Sequence, residues 1–476
     1  MMNKICRYLM MLACALVALA CQPLSFVDIE MIGPSVNAGA RQENVRDYNE
    51  ESRNVLLLYS AGYNSLSQFL ADDIKELLSG DLPGLGHMED VLLIYSHFPS
   101  AKGVYSVPTS PTLTRVYKDI ENNVVKDTLV VYPEGVCSSM ASQLNRVLTY
   151  VKDNYPAKTY GMVFSSHATG YLPTGYYSNP RDYVYTPSAA VSSADASFGS
   201  ADAAGVPYVE PEHDPMLPMV KSVGQDQVGT YGNYLSYEIE IEDFARALPM
   251  YMDYILFDAC LMDIRDFAAA IPMKLDYILF DACLMGGVEV AYELAGRCGL
   301  VGFSQTEVLA EGFDYKSITS HLLYGGAPDP EAVCRDYFSQ YDEQSGVYRS
   351  ATISLVDCSG MEPLARVCAE LFGKYSDAIA HLDPAYVQRY YRSDYHWFYD
   401  LFDIVSRAGA DEEEIKALNS ALDECIIYKA STPDFMGSFK IGVYSGLSMY
   451  LPCHGGTELD SYYRTLKWNM ATGLVE

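Results

Sequence analysis

Two residues of this chain, Cys283 and His167, have the type and setting that covalent chemistry requires. Residues 277–280 (Tyr-Ile-Leu-Phe) form a short apolar run of the kind a buried parallel strand shows, and it stops at Asp281 with Cys283 just beyond. After Gly286 and Gly287 the period changes from strand to helix, with Val288, Ala291, Tyr292 and Leu294 on one face. Chemistry in open α/β sheets gathers at the carboxyl ends of the strands, and a helix start favours a thiolate. Cys283 therefore reads as a nucleophile, although the same placement suits an inert buried thiol. His167 repeats the arrangement, ending a second apolar strand just before a Gly-containing loop. A histidine distant in sequence can activate such a cysteine. The chemistry would be thiolate attack on an electrophilic carbon, with His167 carrying the proton.

The run from Asp281 through Cys283-Leu-Met to Val288-Glu-Val-Ala-Tyr-Glu293, together with the strand-end His167, resembles the clostripain family of cysteine endopeptidases. Weaker echoes run from Val55 through Tyr315 and return at residues 446–452. The resemblance implies a caspase-like fold, cleavage after Arg or Lys, a pocket wall from residues 305–315 and a maturation cut between His and Cys. It also leaves room for calcium; no cofactor is called for by the residues themselves. The oxyanion would be held by backbone N–H groups, those of Cys283 and of Ala168 in the loop after His167. The family commonly has Gly where this chain has Ala168, and a positive φ there would strain the loop.

Specificity can be read from charge. By strand alternation Asp281 points the same way as Cys283, beneath the attacked residue, and its carboxylate would select Arg or Lys. Capping the start of the loop is the alternative role for it. Glu307 is a candidate second carboxylate of the same pocket.

A tandem repeat complicates the choice of nucleophile. Residues 241–262 match 264–285 at a constant offset of 23, with Asp-Tyr-Ile-Leu-Phe-Asp-Ala-Cys-Leu-Met in both copies. Cys260 is thus an alternative nucleophile, but only Cys283 is followed by the Gly-Gly start and its helix. The first copy reads either as an added strand–helix unit at the sheet or as material pushed into a neighbouring loop.

The elements that must position these residues follow from the rest of the chain. Residues 1–21 read as a signal peptide, with Lys4 and Arg7 ahead of an apolar core and a lipobox-like Cys21 as the lipidation site. Residues 22–52 are a polar tether. No other segment is long and apolar enough to cross a bilayer. These features place the chain as exported, a lipoprotein of a bacterial cell envelope held at the membrane by a lipid anchor. A formal net charge of −30 argues against a nucleic-acid partner. Apolar content of 49% and charged content of 20% are those of a well-cored globular protein. Of 12 cysteines, Cys6, Cys14 and Cys21 belong to the leader and lipobox; the nine others show neither metal spacing nor a paired framework.

Apolar strands are expected at 54–59, 91–96, 129–132 and 300–304, with helices at 66–78 and 138–154 between them. This alternation predicts an α/β fold with a mainly parallel sheet covered on both faces, a three-layer sandwich occupying 53–325. Residues 175–231 lose periodicity and form an insert, in which Arg181 and Lys221 are the basic residues available for a maturation cut. Residues 326–476 read as a mostly helical supporting subdomain, with helices at 330–341, 360–379 and 411–425 and short strands at 351–356 and 442–444. The aromatic run from Tyr386 to Tyr399 suits core packing or a ligand platform. The second functional reading is a catalytically weakened surface lipoprotein that binds peptides or glycans. Neither a Gly-x-Ser-x-Gly elbow nor a His-Glu-x-x-His helix supports a serine or metal hydrolase.

Overall fold

A computed structural model of the chain describes residues 53–166, 225–230, 233–239, 241–258, 264–324, 328–392, 397–452 and 456–475. Its first half alternates as expected: β1 (Asn54–Ala61), α1 (Ser67–Ser79), β2 (Val91–His97), β3 (Thr112–Lys118), β4 (Val124–Val131), α2 (Ala141–Asn154) and β5 (Thr159–Ser165). A ribbon of β6 (Gln225–Thr230) and β7 (Asn233–Glu238) follows, then α3 (Ile241–Arg246), β8 (Tyr254–Asp258), α4 (Ile264–Ala270), β9 (Leu275–Phe280), α5 (Val288–Leu294) and β10 (Cys298–Phe303). The remainder comprises α6 (Tyr315–Leu322), α7 (Pro330–Asp342), β11 (Thr352–Asp357), α8 (Met361–Ala380), β12 (Phe398–Asp400), α9 (Leu401–Arg407), α10 (Glu412–Cys425) and β13 (Ile426–Ser431). The short β14 (Asp434–Phe435), β15 (Phe439–Lys440) and β16 (Ser448–Tyr450) precede α11 (Gly456–Tyr463) and α12 (Lys467–Thr472).

One ten-stranded sheet organises these elements, in the order β13-β11-β10-β9-β8-β5-β1-β2-β3-β4. The six strands from β10 to β2 are parallel, and antiparallel pairs flank them on both sides. β1 and β2 are nearly all apolar because both of their faces are covered. Helices α1, α6 and α7 lie in one row, and α2, α3, α4, α5, α12 and α8 in another, which gives the three layers.

Several expectations meet corrections. Residues 129–132 are not an isolated strand but the end of β4 in an antiparallel hairpin with β3. Residues 442–444 are irregular; the strands of that region are β13 and β16. The insert is not aperiodic to its end, since Gln225–Thr230 pairs with β7. Helix α5 is buried all round except at Tyr292, rather than on one face. Its Glu289 accepts hydrogen bonds from the Tyr450 backbone N–H (2.9 Å) and the Tyr463 hydroxyl (2.7 Å), and Glu293 accepts from the Lys467 backbone N–H. Those carboxylates fasten the C-terminal segments to the strand–helix unit that carries Cys283. The same sheet takes in β11 and β13, from the later part of the chain, beside β10.

A buried polar knot lies at the carboxyl end of β2. The Ser138 hydroxyl lies 2.8 Å from His97 Nδ1 and 2.7 Å from the Tyr95 hydroxyl, while Asp226 of β6 accepts the backbone N–H groups of Ser138 and Ser139. Burial pushes the His97 pKa below its ordinary 6.5, opposed by Asp226, whose carboxylate lies 4.0 Å from Nδ1. The unfolded imidazole takes up a proton near pH 6.5 while the folded one does so only at lower pH. Stability is therefore expected to fall as pH drops from about 6.5 toward the folded value, and to change no further from this group below it. Denaturant midpoints at pH 7.5 and 5.5 check this; His97→Gln should flatten the slope, and an unchanged slope would contradict it.

Candidate active site

The turn after β9 is built under constraint. Leu284 adopts φ +60°, a left-handed conformation that is strained for a bulky residue. Its N–H donates to the Thr306 carbonyl (2.9 Å), which holds the turn against the loop after β10. Gly286 is required for closeness: a Cβ there would stand 2.4 Å from Gln305 Nε2 and 2.7 Å from the Gln305 backbone nitrogen. Its N–H donates to the Ser304 carbonyl (2.7 Å), and its carbonyl accepts from the Ser448 N–H (2.9 Å). The Gly-Gly signal in the sequence thus marks a three-way junction of β9, the loop after β10 and β16.

Cys283 sits in this turn with 7% of its surface exposed. The Val308 N–H points at its sulfur at 3.3 Å, and the thiol faces the Val308 carbonyl at 3.7 Å. Two residues earlier, Asp281 is wholly buried, and its Oδ2 accepts the Phe313 N–H at 2.9 Å. Thiol and carboxylate therefore share one turn and face one loop, through Val308 and Phe313. Tyr315, at the start of α6, feels both Asp258 and Asp281, and burial first, then these carboxylates, drives its hydroxyl pKa well upward.

Glu307 stands differently from its expected role. Arg392 Nε donates to both of its carboxylate oxygens, at 3.1 and 2.9 Å, so the carboxylate is already engaged by a guanidinium of this chain. Burial raises the Glu307 carboxyl above its ordinary value, and Arg392 offsets part of that rise. With an ion pair this short and Glu307 nearly covered, the ionised form is the consistent one. Arg392→Met is expected to destabilise the protein by about 2 kcal/mol by leaving a buried carboxylate without its cation. The effect should be less than for a fully buried pair, because the Arg392 side chain is 27% exposed. Urea unfolding of the single variants and of Glu307→Gln/Arg392→Met would show it; equal loss in single and double variants would contradict it.

The first repeat copy takes a definite place. It forms the helix–strand unit α3–β8, which lies between β5 and β9. Of the two readings of the sequence, the added unit in the sheet is the one found. β8 and β9 pair in parallel with Tyr254 opposite Tyr277 and Phe257 opposite Phe280, the repeat offset becoming the sheet register. The paired rings stack, with centroids 4.7 Å apart for the tyrosines and 5.7 Å for the phenylalanines. Each such pair is worth about 1 kcal/mol beyond its buried area. At the end of β8 the Asp258 carboxylate accepts the Ser165 hydroxyl. His167, Ala168, Arg181, Lys221, Cys260 and Cys21 lie outside the described residues.

Sequence reasoning missed Arg392, the Val308 N–H and the left-handed Leu284. Nothing in the local pattern signals a Leu at positive φ, and Arg392 is 85 residues away from Glu307. Among the described residues no group of three or more His, Cys, Asp or Glu could hold a metal ion. Also among the described residues, no helix is long and apolar enough to cross a membrane.

A three-layer α/β/α sandwich with a free thiol on the strained turn after a central parallel strand is an arrangement that suits a cysteine peptidase. The sequence profile described as the Clostripain family matches residues 58–186 and 263–472, and the chain belongs to that family. Among solved structures it is similar to an inactive zymogen C11 protease from Parabacteroides distasonis, at 23% identity and TM-score 0.60, covering 89% of this chain and 99% of that one. It is also similar to a secreted C11 cysteine protease from Bacteroides thetaiotaomicron, in complex with an irreversible peptide inhibitor, at 21% identity and TM-score 0.58, covering 89% and 99%. Both likenesses concern the fold. Comparison with curated proteins finds no match.

Proposed function

We propose that this cysteine peptidase cuts proteins after Arg or Lys, with the Cys283 thiolate as nucleophile and His167 as the proton carrier. The observation that carries the reading is the shared turn: the Cys283 sulfur under the Val308 N–H, and the buried Asp281 carboxylate two residues before it. A basic side chain entering between the turn and residues 305–314 would find Asp281 as its counter-charge, while Glu307 is occupied by Arg392. The test is hydrolysis of peptides bearing Arg, Lys, Asp or Ala before the cut, by the soluble chain from Gln22. Cleavage restricted to Arg and Lys is the expected result; cleavage after Asp or Ala alone, or of none, would contradict it.

The proposal extends to processing and location. Export by the leader and lipidation at Cys21 would hold the enzyme at a bacterial envelope, with residues 22–52 as tether. A cut at Arg181 or Lys221 would mature the chain, and an active chain with the intact mass would exclude this.

A further inference from the structure

In an open α/β sheet the reactive crevice lies where the strand order reverses. Here that is between β1 and β5, since the chain runs from β1 outward through β2 and then resumes at β5 on the other side. The residue that follows Ser166 at the end of β5 is His167. The neighbour of β5 on that side is β8, from the first repeat copy, and β9 with its Cys283 turn comes only after it. One strand spacing is about 4.8 Å, so the ends of β5 and β9 are about 10 Å apart rather than about 5 Å. A thiol and its base need to come within hydrogen-bond reach, about 3 Å.

The contacts that seat β8 use residues that the second copy repeats. β5 pairs with β8 with Gly161 opposite Tyr254 and Ser165 opposite Asp258. The Tyr160 N–H donates to Asp253 (2.7 Å), and the Tyr254 ring fills the space beside Gly161, where a Cβ would meet it at 1.9 Å. Asn145 of α2 donates to the Ala247 carbonyl. At the offset of 23, Asp276, Tyr277, Asp281 and Ala270 are the same residues. The second copy could therefore dock on β5 in the same register if the first were absent. The family profile breaks off at residue 186 and resumes at 263, so its single strand–turn unit corresponds to the second copy.

We infer that the first repeat copy is a spacer strand between the end of β5 and the Cys283 turn after β9, and that a chain with a single 23-residue period is the faster enzyme. This rests on the assignment of Cys283 and His167 as the reacting pair. Removal of either residues 241–263 or residues 255–277 leaves one uninterrupted period ending in Cys283. The first deletion retains α4, and the second retains α3 with its contacts to α2. Misplacement of reacting groups by ångströms lowers turnover by about 100-fold, and that factor is the gain expected in kcat, with KM little changed.

The experiment compares the soluble full chain, both deletions, Cys283→Ala and Cys260→Ala on an Arg-ended fluorogenic peptide, with thermal melts of every variant. A cooperative melt and about 100-fold higher kcat in either deletion, abolished by Cys283→Ala in that background, is the result expected. Folded deletions no faster than the full chain would overturn the spacer while leaving Cys283 as the nucleophile if Cys283→Ala alone silences the full chain. Failure of both deletions to fold would overturn the equivalence of the two copies on β5. Activity lost in Cys260→Ala and kept in Cys283→Ala would overturn the pair itself, making the strand beside β5 the bearer of the nucleophile.

Discussion

Cys283→Ala is expected to reduce peptide hydrolysis to the uncatalysed background, a loss of about 10⁴-fold or more wherever the starting activity allows it to be read. The size follows from the chemistry. Without the thiolate there is no acyl-enzyme, and water would have to attack a peptide carbonyl with only binding and backbone dipoles to assist. The fold should change little, because the Cys283 side chain is small and its hydrogen-bond contacts include the Val308 N–H and carbonyl, groups that loss of the sulfur leaves in place. An unchanged melting temperature with lost turnover separates a chemical role from a packing role. A large drop in melting temperature, or retained turnover, would place the sulfur among the inert core thiols. Its six described companions, Cys137, Cys298, Cys334, Cys358, Cys368 and Cys425, are all buried free thiols. Burial pushes Cys137, Cys298, Cys334, Cys368 and Cys425 well up, which is the setting of unreactive cysteine.

The second large effect is expected at Asp281. Asp281→Asn keeps the size of the side chain and an oxygen to accept the Phe313 N–H, but removes the charge that would face a basic substrate. Losing one partner of a desolvated charge pair costs about 3–4 kcal/mol, so kcat/KM for Arg and Lys peptides should fall by about 10²- to 10³-fold. Peptides with a neutral residue before the cut should change by less than about 10-fold, which makes the ratio of the two the measurement. A uniform fall for all peptides would mean that Asp281 only braces the loop through Phe313, the capping role the sequence also allowed. Glu307→Gln is expected to leave the ratio alone, since Arg392 already neutralises that carboxylate.

The sequence carried the parallel core well, and the reason is physical. Strands buried on both faces read as unbroken apolar runs, as at residues 55–58, 91–94 and 277–280, and the helices between them show a covered stripe. The Asp-x-Cys turn followed by Gly-Gly was legible because a strand that ends and a helix that begins leave different periodicities on either side. The β3–β4 hairpin was harder, since β4 is half-exposed along its length and its longest apolar run is only its end, residues 129–131. β13 was missed for the same reason, as an edge strand whose burial alternates weakly. The extent of the sheet past residue 326 could not be read, because a hydrophobic pattern states that a strand is covered and not which sheet it joins. The ion pair between Glu307 and Arg392 depends on chain segments brought together by the whole fold. The repeat was visible at once, but only the strand order shows that its first copy stands between β5 and β9.

The central claim, that Cys283 is the nucleophile of a peptidase selective for basic residues, is tested most directly by covalent labelling. The soluble chain is treated with an Arg-ended peptidyl chloromethyl ketone, then digested, and the modified cysteine is located by mass spectrometry. A single adduct on Cys283, prevented by Asp281→Asn and absent with an Asp-ended reagent, is the result expected. An adduct on Cys260, or labelling that ignores the residue presented, would contradict it.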